Sequence, residues 1–198
     1  MLYQSEREKL VKFVKNMYER KVTNSAGGNV SVRVDENHYI MTPRLMSEDF
    51  HCNLRPDQIL VLDKDENVIE GDGQVTREVN MHMACYEENP EIGAVVHAHA
   101  LESMTFSTLG IDMPNLTEAT QKIGTIKCFK YHKAMTMDLA NTVRAQVRAD
   151  QQATKAYLLN RHGILVTGPT LEKAYDMAER LEWNAKIAKE SFVYQKLS

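Results

Sequence analysis

The chain has no run of basic residues: its 24 lysines and arginines are interspersed among 27 acidic residues, for a formal net charge of −3. Such a mixed surface lacks the electrostatic footprint of a nucleic-acid or membrane binder and leaves a small molecule as the expected ligand. Long apolar runs are missing too. None approaches the roughly 18 residues that a membrane helix needs, and the opening MLYQSEREKLVKFVKNMYER carries too much charge for a secretory signal. The expectation is a soluble, cytoplasmic protein. Cysteine is scarce: Cys52, Cys85 and Cys128 are far apart, odd in number and form no C-x-x-C pair. That pattern fits packed thiols in a reducing compartment and disfavours a thiolate zinc site. Repeats, low-complexity stretches and linkers are absent as well, so one domain over residues 1–198 is expected, large enough to bury a core without disulfides.

What is present is a readable alternation of periods. Ser5 and Glu8 have the spacing of a capping box, and Leu10, Phe13, Val14 and Met17 then recur at helical intervals to about Arg20, ahead of a loop at TNSAGG. NVSVRV, HYIMT and QILVLD read as strands, with VDENH and DKDENV as turns. From Thr76 to about Glu88 the pattern is helical until Pro90 stops it, and IGAVVHAHA is a strand of the fully buried type. Residues 101–109 read as a helix, GTIKCFKY as a strand, MDLANTVRAQVRAD as a helix, and KAYLLNRHGILVTG as a strand region interrupted at His-Gly. A final helix from about Thr170 carries Leu171, Ala174, Ala178, Leu181, Ala185 and Ala188 as a small-residue stripe suited to close packing. The fold class expected is α/β: a sandwich whose central, mostly antiparallel sheet is flanked by helices.

The chemistry starts at AVVHAHA. A strand's period of two sends His97 and His99 to the same side, so both imidazoles aim at one spot. H-x-H alone fits hydrogen-bonded core or rim histidines better than ligands. A third neutral donor would complete the pattern of a catalytic zinc site that leaves a position for water or substrate. His162 of NRHGIL is the candidate, because it too follows an apolar strand and Gly163 behind it permits close approach; His38, His51 and His132 lie in loop-like surroundings. Glu78, nineteen residues before His97 at the head of a helix, could set a carboxylate beside the metal, or could simply favour a helix N-terminus.

GGNVSVR, TP, REVNMHMACY, AVVHAHA and NRHGIL, in that order and spacing, resemble the class II aldolase/adducin family, which includes fuculose-1-phosphate aldolase. The resemblance covers nearly the whole chain. It implies that His97, His99 and His162 bind zinc, with Mn2+, Fe2+ or Co2+ as other divalent occupants, and that Glu78 moves a proton beside a metal-stabilised enediolate. Family epimerases resemble an aspartate at that position, so glutamate favours carbon–carbon lyase chemistry. By the same resemblance Gly28, Asn29, Arg44, Leu45, Thr76 and Arg77 fall where aldolases bind the substrate phosphate.

Two departures stand out. TPRL replaces the T-P-T-G or T-P-S-G of aldolases, and TRE replaces Ser-Ser-Glu, so Arg44 and Arg77 offer guanidinium forks for a phosphate or a carboxylate in place of the usual cradle. Glu118 falls where those aldolases carry a proton-donating tyrosine contributed across a subunit boundary; a carboxylic acid could donate there if its pKa were raised. The resemblance thus implies a zinc-dependent aldehyde-lyase acting on a small ketose phosphate or sugar acid, working as a homotetramer. Its alternatives are a dehydratase or decarboxylase on the same scaffold, supported by Glu118, or a non-catalytic module of the adducin-head kind.

Overall fold

A computed structural model describes residues 1–195; residues 196–198, included in the expected domain, lie outside the described residues. The chain runs α1 (Gln4–Glu19), β1 (Gly28–Arg33), β2 (His38–Met41), α2 (Met46–Phe50), β3 (Leu60–Asp63), β4 (Val68–Glu70), α3 (Val79–Glu88), β5 (Ala94–Ala98) and α4 (Leu101–Leu109). It continues through α5 (Glu118–Gln121), α6 (Met137–Asp150), β6 (Lys155–Leu159), β7 (Gly163–Gly168) and α7 (Leu171–Gln195). The strands form one sheet in the order β4-β3-β2-β1-β5-β7-β6, and every neighbouring pair is antiparallel.

Strand alternation divides the core into two layers. Ala94, Val96 and Ala98 of β5 join Val30, Ile40 and Val61 beneath α1, α4 and α7. Val95 joins Met41, Leu60, Leu62 and Leu165 against α3 and α6. Both faces are covered, which explains why β5 reads as a continuous apolar run. The α7 stripe is sunk in the first layer, with Leu171, Ala174, Ala178, Leu181, Ala185 and Ala188 all buried.

Three expectations are corrected. Ser5 does not cap the first helix: α1 begins at Gln4 after Tyr3 in the left-handed region (φ 53°), and no side chain caps it; Gln4 instead donates to Glu8 at 2.9 Å. GTIKCFKY is irregular, touching its neighbours through isolated bridges Met113–Ile126 and Cys128–Leu158. The last strand region is a hairpin of two strands, β6 and β7, joined through Asn160, Arg161 and His162. The small elements α2, α5 and β4 were not foreseen. The three cysteines are free thiols, and among the described residues no helix is long and apolar enough to cross a membrane.

One half-buried carboxylate ties the fold to the segment after β5. Glu182 of α7 accepts from the backbone N–H groups of Glu102 and Ser103 at 2.6 and 3.0 Å and from the Ser103 hydroxyl at 2.8 Å. It therefore caps α4 from another helix, satisfying donors that a helix start leaves open. Glu182→Ala is expected to lower unfolding free energy by about 1–2 kcal/mol, read as a drop in the urea midpoint; an unchanged midpoint would show the cap to be dispensable.

Candidate functional site

The three histidines come from the end of β5 and from the loop that joins β6 to β7, the strand beside it. His97 is the fourth residue of β5, and His99 follows the strand by one residue. His162 closes the three-residue hairpin loop, where Arg161 takes a left-handed conformation (φ 58°) and the His162 N–H donates to the Leu159 carbonyl at 2.9 Å. Gly163 is required where the hairpin meets β5: a Cβ there would lie 2.4 Å from the Ala98 carbonyl oxygen. The rings converge, with centroids 5.2 Å apart for His97 and His99, 4.6 Å for His97 and His162, and 5.3 Å for His99 and His162. One ligand atom from each lies within 4.8 Å of the others, a spacing from which one cation could be shared.

Glu78 immediately precedes α3 as its N-cap residue, yet its side chain makes no cap hydrogen bond. The carboxylate turns inward instead. Its Oε2 lies 3.3 Å from His97 Nε2 and its Oε1 3.2 Å from His162 Nε2, and Asn29 Nδ2 donates to Oε2 at 2.9 Å.

The donor set fits a cation. A carbonyl only accepts, so the 2.9 Å contact between His97 Nδ1 and the Ile164 oxygen puts the ring hydrogen on Nδ1 and leaves Nε2 with a bare lone pair. That lone pair faces a carboxylate oxygen. His97 Nε2, His162 Nδ1 and Glu78 Oε1 are all buried without a hydrogen-bond partner. A bare imidazole nitrogen set against an ionised carboxylate oxygen calls for a positive charge between them.

Electrostatics agree. Burial pushes the His99 and His162 imidazoles down, to about 3 and about 4, with His97 adding in the same direction. Burial alone would raise the Glu78 carboxyl, but His97, His162, the Asn29 amide and His82 outweigh it and hold it at about 2. At neutral pH these imidazoles are therefore neutral and the carboxylate ionised, the forms in which they ligate or accept a proton.

A cavity of about 100 Å³ opens beside the histidines. It is lined by Gly28, Asn29, Arg44, Leu45, Thr76 and Arg77, together with Glu78, His99 and His162. Arg77 is exposed, whereas Arg44 is partly engaged, donating from Nη1 to Gln74 Oε1 at 3.2 Å and from its backbone N–H to the Gln74 carbonyl at 2.8 Å.

Comparison with known proteins adds the lineage. Residues 8–188 match the family described as Class II Aldolase and Adducin N-terminal domain. The chain belongs to that family. It is 31% identical over 189 residues to a 3-oxo-tetronate 4-phosphate decarboxylase of Haemophilus influenzae, covering 92% of this chain and 86% of that one. It is 32% identical over 178 residues to an L-fuculose phosphate aldolase of Methanococcus maripaludis, with 89% and 92% covered. A solved L-fuculose 1-phosphate aldolase structure superposes with a TM-score of 0.83 at 28% identity, covering 95% of this chain and 86% of that one. This class II aldolase family member is an enzyme, which sets aside the non-catalytic reading.

Glu118 is the candidate that the fold keeps apart from the others. It lies exposed at the start of α5 and is not among the residues lining the cavity of its own chain. The loop before it is nevertheless firmly held: fully buried Asn184 of α7 accepts from the backbone N–H groups of Leu116 and Thr117 at 2.9 and 3.0 Å and donates to the Pro114 carbonyl at 2.8 Å. Two pairs of contributors escaped the sequence reading. Ser47 and Met135 line the cavity, and buried His82 and Ser31 back Asn29 from behind. A polar residue at each apolar-facing position was the available signal for the second pair.

The pKa shifts predict acid lability of the metal-free protein. His82, His99 and His162 all have folded values below the ordinary 6.5. The unfolded chain therefore takes up protons first, and the fold loses stability as pH drops below about 6.5. Glu78 contributes with the same sign, its share being lost as pH falls from about 4.5 through about 2. Urea midpoints should decline between pH 7 and pH 4, and a flat profile would contradict neutral buried imidazoles.

Proposed function

We propose that this chain is a zinc-dependent class II aldolase-type lyase, cytoplasmic, that makes or breaks a carbon–carbon bond in a small ketose phosphate or sugar acid. The observation that carries this reading is Glu78: a carboxylate only 7% exposed, facing two of three convergent imidazoles at 3.3 and 3.2 Å. His97, His99 and His162 would hold the ion, and the same donors suit Mn2+, Fe2+ or Co2+. When bound there, a divalent cation supplies Lewis-acid stabilisation of negative charge developing on a substrate oxygen.

The chain's own residues do the rest. Glu78, ionised and free of hydrogen bonds at Oε1, takes a proton from the carbon next to a carbonyl, or returns one, from a fixed position. Gly28, Asn29, Thr76, Arg44 and Arg77 bind the anionic end, the two guanidinium groups suiting a phosphate or a carboxylate.

Decarboxylation is the second reading, favoured by the 31% identity to a relative named as a decarboxylase. Both chemistries leave negative charge next to a carbonyl, so the same residues serve either. A panel of ketose 1-phosphates and 3-oxo sugar acid 4-phosphates, offered to the zinc-loaded protein, separates them: an aldehyde released from a ketose 1-phosphate supports the aldolase, carbon dioxide released from a sugar acid the decarboxylase, and neither product would overturn both.

The working unit in this reading is a homotetramer, in which Glu118 serves as proton donor at a neighbouring subunit's cavity. Supporting it are exposed apolar side chains on α4, at Leu116 ahead of α5, and on α7, including Leu101, Leu109 and Trp183. Sedimentation as a monomer would remove Glu118 from the reaction.

A further inference from the structure

His82 is fully buried in the middle of α3 and does not line the cavity. Its Nε2 lies 2.6 Å from Asn29 Oδ1 and its Nδ1 2.7 Å from Ser31 Oγ, which in turn lies 2.7 Å from the Tyr86 hydroxyl. The placement follows from two periods. Asn29 and Ser31 are alternate residues on one face of β1, and His82 and Tyr86 are four apart on α3, which packs against that face. All four are buried, at 4, 0, 0 and 3% exposure, so protein groups alone satisfy this chain of bonds.

Donor and acceptor capacities permit one polarity along it. An ionised carboxylate only accepts, so Asn29 turns its amide nitrogen toward Glu78 and its carbonyl oxygen toward His82. That oxygen only accepts, so the hydrogen of the neutral imidazole sits on Nε2 and Nδ1 is bare. Nδ1 then accepts from the Ser31 hydroxyl, and Ser31, its single hydrogen committed, accepts from Tyr86. Every hydrogen in the series Tyr86, Ser31, His82, Asn29 points toward Glu78.

We infer that His82 is a positioning residue for the reaction: its Nε2–H locks the Asn29 amide, and Asn29 holds Glu78 Oε2 so that Oε1 faces His162. The inference rests on the reading of Glu78 as the group that moves the proton. A flipped Asn29 would set its carbonyl oxygen against the carboxylate, two acceptors in contact, and the carboxylate would leave its place. Were His82 only core filling, an apolar ring of similar volume would replace it without consequence for Glu78.

The test compares zinc-loaded wild type with His82→Gln, which keeps an N–H donor within reach of Asn29, and His82→Phe, which fills the volume and donates nothing. Long-range 1H–15N spectra should show wild-type His82 protonated on Nε2 and bare on Nδ1. The Glu78 carboxyl 13C resonance should move in His82→Phe and return toward its wild-type position in His82→Gln, with zinc content equal in all three. Turnover should fall about ten- to hundredfold in kcat in His82→Phe, with KM little changed, and recover in His82→Gln. A hydrogen on Nδ1 in the wild type, or a Glu78 resonance and kcat unmoved in His82→Phe, overturns the inference. The resonances need no turnover: the expected tautomer and Glu78 shift in a protein without activity on any substrate would overturn the functional reading and leave the positioning intact. Should His82→Phe fail to fold, His82→Met, a flexible apolar side chain with no N–H, takes its place and should shift the Glu78 resonance in the same direction; no shift there overturns the inference.

Discussion

Glu78→Gln is expected to lower kcat about 10²–10⁴-fold while leaving bound zinc and thermal stability close to wild type. The substitution is nearly isosteric, and its carbonyl oxygen still accepts from Asn29 Nδ2, the 2.9 Å bond that fixes the side chain. What it loses is the capacity to take a proton. Because the candidate ligand set is three histidines, the ion should remain, and the loss should appear in kcat and not in metal content. Steady-state kinetics beside elemental analysis of the purified variant checks this; turnover at the wild-type level would remove Glu78 from the mechanism.

His162→Ala should behave in the opposite manner, losing metal and activity together. His162 sits on a hairpin loop and is 13% exposed, so its removal spares the core strands that position His97. The linkage is thermodynamic: a metal that binds only the folded state stabilises it by RT ln(1 + [L]/Kd), about 4 kcal/mol at a thousandfold excess over Kd. Zinc should therefore raise the melting temperature of wild type and leave that of His162→Ala nearly unchanged, while the two metal-free proteins melt close together. Full zinc loading and activity in the variant would contradict the three-histidine site.

Much of the site was legible because strand geometry is strict. An alternating period aims His97 and His99 to one side whether or not the strand extends to the second, and here β5 ends at Ala98 while the rings still meet at 5.2 Å. Gly163 was readable as a point of close approach, and the Ala98 carbonyl is the atom it admits. Local propensity failed where tertiary pairing decides. GTIKCFKY has the composition of a strand, but it makes only isolated bridges. β4 is three residues long at the sheet edge, with Val68 and Ile69 exposed, too short to announce itself. His82 carries no signal within its own helix because its partner Asn29 lies 53 positions away. Hydrogen-bond polarity is a property of the assembled network and leaves no trace in any one segment.

The account depends most on Glu78 and the three histidines acting together on a carbon next to a carbonyl. The measurement that tests it most directly is hydrogen exchange into dihydroxyacetone phosphate in deuterated water, followed by NMR on zinc-loaded wild type, metal-free protein and Glu78→Gln. Exchange in the first and not in the other two is the predicted result. Equal exchange in the absence of metal or of the Glu78 carboxylate would contradict it. No exchange in any of the three would exclude that ketone as a substrate or product and shift the reading to a lyase acting on a different sugar acid, with Arg44, Arg77 and Glu118 the residues to substitute next.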